Sequence, residues 1–126
     1  MVVDERKLFV IQEHNASHLH WDFRLEKNRV LKSWALPKIP PTKKGERHLA
    51  IQVEDHPLSY AKFEGEIKEG YGKGIVKTWD KGKYKLLKET KDEIEFEIFG
   101  KKLTGKYVLV NTKFQGKKEN WLLIKL

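Results

Sequence analysis

Short runs in which apolar and polar residues alternate cover most of this chain, and this pattern restricts its fold more than any other feature. Successive side chains that point to opposite faces are typical of β-strands with one buried face. No segment has a sustained 3.6-residue repeat, so no long amphipathic helix is predicted. The predicted strands are residues 8–12, 18–26, 30–36, 48–54, 74–79, 84–88, 93–99, 103–110 and 121–126.

Turn sequences separate these runs, among them "KN" at 27–28 and "DKGK" at 80–83. The longest irregular segment is 37–46, and a helical turn is expected after Pro57, because proline suits the first helical position. Many strands joined by short loops predict an all-β fold, mostly antiparallel, forming a closed or partly open β-barrel with short helical turns. The length fits a single domain, 1–126.

Composition narrows the chemistry and the partners. The chain has no cysteine, which excludes disulfides and thiolate metal sites and leaves imidazole and carboxylate as metal ligands. A formal net charge of +8 indicates a polyanionic partner, most simply nucleic acid, or alternatively a lysine- and glutamate-rich solvated surface. No apolar run could span a bilayer, and the N-terminus lacks a secretory pattern. We therefore expect a cytoplasmic protein without a membrane partner. By default we expect a monomer.

The polar face of the second predicted strand carries two histidines, an aspartate and an arginine. His20, Asp22 and Arg24 are two residues apart and lie in a row on that face. His14 lies just upstream, where a turn through "NAS" would fold it back toward His20. Two imidazoles and a carboxylate can form a metal site with open positions, and the arginine offers a planar fork to phosphate. His18 is interpreted as exposed. The alternative is an ordinary ion pair on a polar surface.

A second cluster of reactive residues lies in "VEDHPLSY", residues 53–60. If the chain makes one helical turn after Pro57, Tyr60 lies above His56, four residues earlier. Such a pair can hold a phosphate oxygen or deliver a proton to a leaving group. The alternative is that Asp55 or His56 caps the turn and Tyr60 packs with its hydroxyl at the surface.

Six segments, in order, resemble the 3′-phosphoesterase domain of the ligase D family: "FVIQEHNASHLHWDFRLE", "LKSWALPK", "LAIQVEDHPLSYAKFEG", "VKTWDKG", "LTGKYVLV" and "NWLLIKL". The likeness covers residues 9–126, and a chain with this domain alone resembles a stand-alone archaeal or bacterial form. The resemblance implies a manganese-dependent enzyme that heals DNA 3′ ends during non-homologous end joining. It would trim a 3′-terminal ribonucleotide from a primer–template as a phosphodiesterase and then remove the 3′-phosphate as a phosphomonoesterase. A DNA ligase and a polymerase would act with it in trans.

The resemblance also implies roles for individual residues. The metal ligands would be His14, His20 and Asp22, the phosphate would be held by Arg24, His56 and Tyr60, and the supporting residues would be Gln12, Ser33, Lys38 and Glu54. Two departures from the family pattern are visible: only eight residues precede Phe9, and His48 stands where an arginine is common. We expect these to weaken the diesterase step more than the monoesterase step.

Three ligands predict one catalytic metal that binds a non-bridging phosphate oxygen as a Lewis acid. The ligand types alone would also accept zinc, iron or cobalt, so manganese follows only from the resemblance.

Two other function classes fit parts of the sequence. "HWD" at 20–22 with His56 as a distal ligand suits a non-haem iron oxygenase. A non-catalytic nucleic-acid-binding β-barrel would use tryptophans for stacking and lysines for backbone contacts, the tryptophans being Trp21, Trp34 and Trp79.

Overall fold

A computed structural model describes residues 6–70 and 73–126 of the chain. The strands are β1 Lys7–Asn15, β2 Leu19–Lys27, β3 Val30–Leu36, β4 Arg47–Pro57, β5 Gly65–Ile67, β6 Gly74–Thr90, β7 Glu93–Phe99, β8 Thr104–Asn111 and β9 Asn120–Lys125. Two short 3-10 turns, Leu58–Lys62 and Phe114–Gly116, are the only helical segments in the described ranges, and none there is long enough to span a membrane. The first of them confirms the helical turn expected after Pro57.

Eight of the strands close into an antiparallel barrel. Their order around it is β1–β2–β3–β4–β9–β8–β7–β6, and β6 pairs with β1 to complete the ring. The short β5 adds to the free edge of β6 and has no counterpart among the predicted strands. Closure leaves no exposed edge within the ring, so the predicted antiparallel barrel is confirmed in its closed form.

Apolar residues from every strand of the ring meet in one interior cluster. Aromatic rings stack through its centre: Phe23 lies 5.8 Å from Phe96, whose ring is stacked on Tyr107 at 6.2 Å. Trp34 and Trp121 meet edge to face at 5.7 Å. Because interior residues alternate with outward ones along each strand, the outer face of the barrel is free to carry polar groups.

One predicted turn is wrong. Residues 74–79 and 84–88 were expected to be two strands separated by "DKGK", but β6 runs through without a break. Its first half pairs with β1 and its second half with β7, and a register shift beside Ile11 makes Trp79 an extra, bulged residue. The carboxylate of Asp80 accepts backbone N–H groups, including those of Lys101 and Leu103, at 2.9 Å. Gly82 is needed because a side chain there would overlap the backbone of Phe99.

The two faces of β2 also differ from expectation. Leu19, placed on the buried face by the alternation, is 45% exposed because it lies at the end of the β1–β2 hairpin. On the other face, Asp22 and Arg24 are buried, at 7% and 3% exposure. They lie on the outside of the barrel, but the Leu58–Lys62 turn packs over that face through an apolar cluster that includes Leu31 and Ala61. This turn creates a sheltered, polar cleft outside the barrel core.

Candidate active site

The β1–β2 hairpin places two histidines side by side. His14 pairs directly with His20, and their rings lie 4.8 Å apart. The loop between the strands is short, since Asn15 already pairs with Leu19. Two residue pairs further into the hairpin, on the same face, Gln12 lies opposite Asp22. The local register alone therefore gathers the two imidazoles and the carboxylate on the outer face.

The donor atoms of these three residues point at one another. His14 Nδ1 and His20 Nε2 lie 3.6 and 3.3 Å from the same Oδ2 atom of Asp22. Donors bound to one cation at about 2.1 Å are separated by about 3.0–3.4 Å. The two distances to Asp22 are close to this spacing, and all three donor atoms lie within 4.8 Å of one another. His20 Nδ1 lies 3.2 Å from the backbone oxygen of His18, and donation there leaves Nε2 as the metal-facing atom.

Electrostatics keep Asp22 ionised. Burial alone would raise the pKa of Asp22, but the hydrogen bond from His20 and the positive charge of Arg24 outweigh burial and leave the pKa lowered. The same hydrogen bond to Asp22 raises the pKa of His20, against the opposing effect of burial. A proton shared between His20 and Asp22 occupies the position that a cation would take, so a metal and this proton compete.

Arg24 is fixed from several sides. Its Nε donates to Gln12 Oε1 at 2.7 Å, its Nη1 donates to Ser33 Oγ at 2.8 Å, and its Nη2 lies 3.5 Å from Asp22 Oδ2. The Gln12 amide in turn donates to the backbone oxygens of Tyr60 and Phe63, at 2.8 and 3.2 Å. Burial lowers the pKa of Arg24, yet a guanidinium stays charged at neutral pH. The result is a rigid cation beside the metal-type donors.

His56 and Tyr60 complete the cleft on the side of the 3-10 turn. His56 Nδ1 lies 3.2 Å from Arg24 Nη1 and 3.0 Å from the backbone oxygen of Glu54. A single protonation state can satisfy only one of these contacts, because the nitrogen either accepts from Arg24 or donates to the carbonyl. The Tyr60 ring lies 4.9 Å from the guanidinium carbon of Arg24 and 4.8 Å from the His56 ring. Burial raises the pKa of Tyr60, although the arginine opposes this, so the phenol is neutral at pH 7.

A cavity of about 380 Å³ joins these groups. The predicted site residues that line it are His14, His20, Asp22, Arg24, Glu54, His56 and Tyr60. Gln12 and Ser33 are fully buried and act on the cavity through Arg24.

Two residues that the sequence comparison with the family drew attention to, Lys38 and His48, do not line this cavity. Lys38 is exposed in the segment after β3 and is not among the described residues that line the cavity. His48 also lies outside that lining set, and its Nε2 is 3.0 Å from Glu46 Oε2. His18 is exposed, as expected, at the rim of the cavity. Of the segment before Phe9, residues 1–5 lie outside the described part of the chain.

The apolar part of the cavity wall is not evident from the sequence pattern. Ala35 on β3, Val53 on β4 and Ile67 on β5 line it together with the polar residues. However, the strand pattern could have identified Ala35, because it lies with Ser33 on the face of β3 opposite to the interior residue Trp34. Ile67 belongs to the strand that the alternation did not reveal.

The sequence matches one protein family and several proteins that contain it. The sequence model of the family described as "DNA Ligase D 3′-phosphoesterase domain" matches residues 12–111. The multifunctional non-homologous end joining protein LigD of Pseudomonas aeruginosa is 46% identical over 123 residues, which is 93% of this chain. The LigD proteins of Mycobacterium tuberculosis and Mycolicibacterium smegmatis are 47% and 43% identical over 88% and 90% of it. The chain spans only about 15% of the length of these relatives.

Proposed function

Because the chain belongs to the DNA ligase D 3′-phosphoesterase domain family, we propose that it is a metal-dependent phosphoesterase that heals DNA 3′ ends. It acts on primer–template ends, as a phosphodiesterase on a 3′-terminal ribonucleotide and as a phosphomonoesterase on a 3′-phosphate. The healed 3′-hydroxyl then passes to polymerase and ligase activities, in trans, in non-homologous end joining. The cytoplasmic location and the monomeric state remain predictions from the sequence.

One observation carries the proposal: three metal-type donors and a fixed arginine face the same cavity. Asp22 Oδ2 lies within 3.6 Å of His14 Nδ1, His20 Nε2 and Arg24 Nη2. A phosphoryl group in that cavity would meet a guanidinium on one side and the three donors on the other. This combination suits a dianionic or monoanionic phosphate ester better than it suits an uncharged substrate.

The three donors fit a divalent cation, and we propose manganese in this place. When bound there, such a cation supplies Lewis-acid stabilisation of charge on a phosphate oxygen. His14 and His20 would hold it through Nδ1 and Nε2, and Asp22 would hold it through its carboxylate.

The residues beside the donors supply the rest of the chemistry. In the monoesterase reaction a water oxygen bonds to phosphorus, the bond from phosphorus to the 3′-oxygen breaks, and that oxygen takes up a proton. Arg24, held by Gln12 and Ser33, neutralises charge on the phosphoryl oxygens without reorganising. When His56 carries a proton on each nitrogen, Nδ1–H donates to the Glu54 carbonyl and Nε2–H is left to give its proton to the leaving oxygen. The Tyr60 ring packs against the Arg24 guanidinium and the His56 imidazole and helps to fix their positions.

The test uses a labelled primer–template that ends in a 3′-phosphate or in one ribonucleotide. We expect conversion with Mn²⁺ and none with EDTA, and we expect His20→Ala and Asp22→Ala to lose both activities. Asp55→Ala is the matched control, since this carboxylate is exposed, pairs with Lys32 and is not among the described residues that line the cavity, so it should keep full activity. Normal phosphatase activity in His20→Ala would contradict the assignment.

The same donor types occur in non-haem iron oxygenases, so the assay includes Fe(II) with and without oxygen. The sequence-based oxygenase alternative used His56 as the distal ligand, but the donor cluster contains His14 instead, and His56 lies against Arg24. Oxygen-dependent turnover of a small acid would favour that alternative. DNA binding that is insensitive to chelator and without turnover would favour a non-catalytic β-barrel.

A further inference from the structure

The outer face of β3 is built from small residues, and it begins inside the proposed active site. Ser33 and Ala35 point outward, opposite to the interior residues Trp34 and Leu36, and Pro37 continues the row beyond the strand. Larger side chains flank this row on β2 and β4. We call the resulting depression the β3 trough, with Ala35 and Pro37 as its floor.

The strand register defines the two walls of the β3 trough. Asp22 on β2 pairs with Ala35, which pairs with Ile51 on β4. Neighbouring strands are about 4.8 Å apart, so the walls are separated by roughly 10 Å. One wall therefore carries a metal-type donor and the other carries an apolar side chain. The neighbouring outward positions of that second wall are Leu49 and Val53.

The β3 trough is continuous with the active-site cavity. A second depression, lined by residues that include Leu19, Ala35, Pro37 and Ile51, shares His20 and Ala35 with the first. Leu19 at its mouth is 45% exposed and Leu49 is 36% exposed. Exposed apolar surface directly beside a strongly charged site is typical of a place where the apolar part of a ligand binds.

We propose that the β3 trough binds the nucleoside whose 3′-oxygen carries the phosphate, with its sugar and base over Ala35 and against Ile51 and Leu19. This proposal rests on the proposed function. The occupant follows from continuity: the phosphate lies at Arg24, and the group bonded to it must leave the cavity across a neighbouring surface. The opposite side of Arg24 is closed by Gln12 and the Leu58–Lys62 turn, whereas the β3 trough is open.

The composition of the β3 trough also sets its specificity. Leu19, Ala35, Pro37 and Ile51 have no side-chain hydrogen-bonding groups, so they can pack against the face of any base but cannot read its edge. The polar residues that line the same depression, Ser17, His18 and His20, all belong to the β1–β2 hairpin, which carries the metal-type donors. With the base over the floor and the β4 wall, we expect the trough to distinguish a nucleoside from a bare sugar phosphate without distinguishing the four bases. Such tolerance suits an activity on DNA ends of any sequence.

The experiment compares two 3′-phosphorylated primers that differ only in the last residue, a normal nucleoside or an abasic tetrahydrofuran. We expect the base-bearing primer to have about tenfold higher kcat/KM, the scale of one base packed on a protein surface. The four bases should agree within about twofold. A second readout, fluorescence anisotropy in EDTA, should show a similar preference in Kd and does not depend on turnover.

One variant tests the apolar wall. Ile51→Ser removes an apolar side chain that lines the trough but not the active-site cavity, so it should abolish the preference while keeping activity on the abasic primer. Leu86→Ser is the matched control, since Leu86 is an exposed apolar residue on β6, which is not part of the trough, and it should keep the wild-type preference. Circular dichroism verifies folding of each variant.

Equal kcat/KM and equal Kd for the two primers in the wild-type protein would overturn the proposal, as would an unchanged preference in Ile51→Ser. Complete inactivity on both primers would instead count against the proposed function. In that case the anisotropy comparison still decides whether the β3 trough binds the nucleoside.

Discussion

Replacing Gln12 by leucine tests whether a fully buried amide holds the active site together. Gln12 lies on β1 beneath the Leu58–Lys62 turn and has no exposed surface. Its oxygen accepts from Arg24 Nε at 2.7 Å, and its nitrogen donates to the backbone oxygens of Tyr60 and Phe63. Leucine keeps most of the volume but can make none of these hydrogen bonds.

The expected loss follows from the groups that remain unpaired. A buried hydrogen bond to a charged group contributes about 1.5–3 kcal/mol, and each neutral one contributes about 1 kcal/mol. The simple sum for Gln12→Leu is about 4 kcal/mol, and we expect about 3 kcal/mol because the short turn can relax toward water. Arg24 would also lose the partner that fixes its Nε, so the phosphatase kcat should fall by about 100-fold even where the protein is folded.

Urea unfolding and phosphatase assays measure the two effects on the same samples. Gln12→Glu separates the effect on stability from the effect on activity. It keeps an acceptor for Arg24 Nε but removes the donor to the backbone oxygens of Tyr60 and Phe63. We therefore expect it to be less stable than the wild type but to retain more activity than Gln12→Leu. Gln52→Leu is the matched control on β4, because this glutamine is half-buried and is not among the described residues that line the cavity. A loss of less than 1 kcal/mol with unchanged kcat in Gln12→Leu would refute the reasoning.

Three further outcomes are expected. Mn²⁺ should raise the melting temperature of the EDTA-treated protein, and Asp22→Ala should abolish the rise; a rise that persists would place the metal elsewhere. Asp80→Asn should cost about 2–3 kcal/mol in urea unfolding without changing phosphatase KM, because its carboxylate pairs with the backbone N–H groups of residues 101–103, which are not among the residues that line the cavity. Burial raises the pKa of Tyr84 and Tyr107 to about 12, against about 10 when unfolded. The contribution of their neutral forms to folding is complete below pH 10 and is lost as the pH rises toward 12, by about 1 kcal/mol for each tyrosine at pH 11. Tyr84→Phe should reduce the decrease in unfolding free energy between pH 10 and 12. An unchanged decrease would contradict the raised pKa of Tyr84.

The alternating pattern was sufficient for the parts of the molecule that depend on near neighbours in the chain. Residues 18–26 predicted β2 almost to its bounds, and the row from His20 to Arg24 follows from strand periodicity alone. The pairing of His14 with His20 needs only a short turn. These features required no knowledge of how distant strands meet.

Features set by distant partners could not be predicted in the same way. Asp80 and Gly82 are turn formers when considered locally, and only the backbone of residues 99–103 explains why they lie inside a continuous strand. The burial of Arg24 depends on a turn more than thirty residues later. The resemblance to a family, and not periodicity, drew attention to Gln12 and Ser33.

The two halves of the candidate site differ in how far apart their residues lie along the chain. His14, His20 and Asp22 all come from one hairpin, whereas Arg24 and His56 are separated by 32 positions. Closing a short hairpin is fast and loses little chain entropy, so the cation-binding half can assemble before the barrel is complete. If the proposed metal binds this half, it would then accelerate folding as well as slow unfolding, and the newly made chain would acquire it before the His56 side of the candidate site is in place.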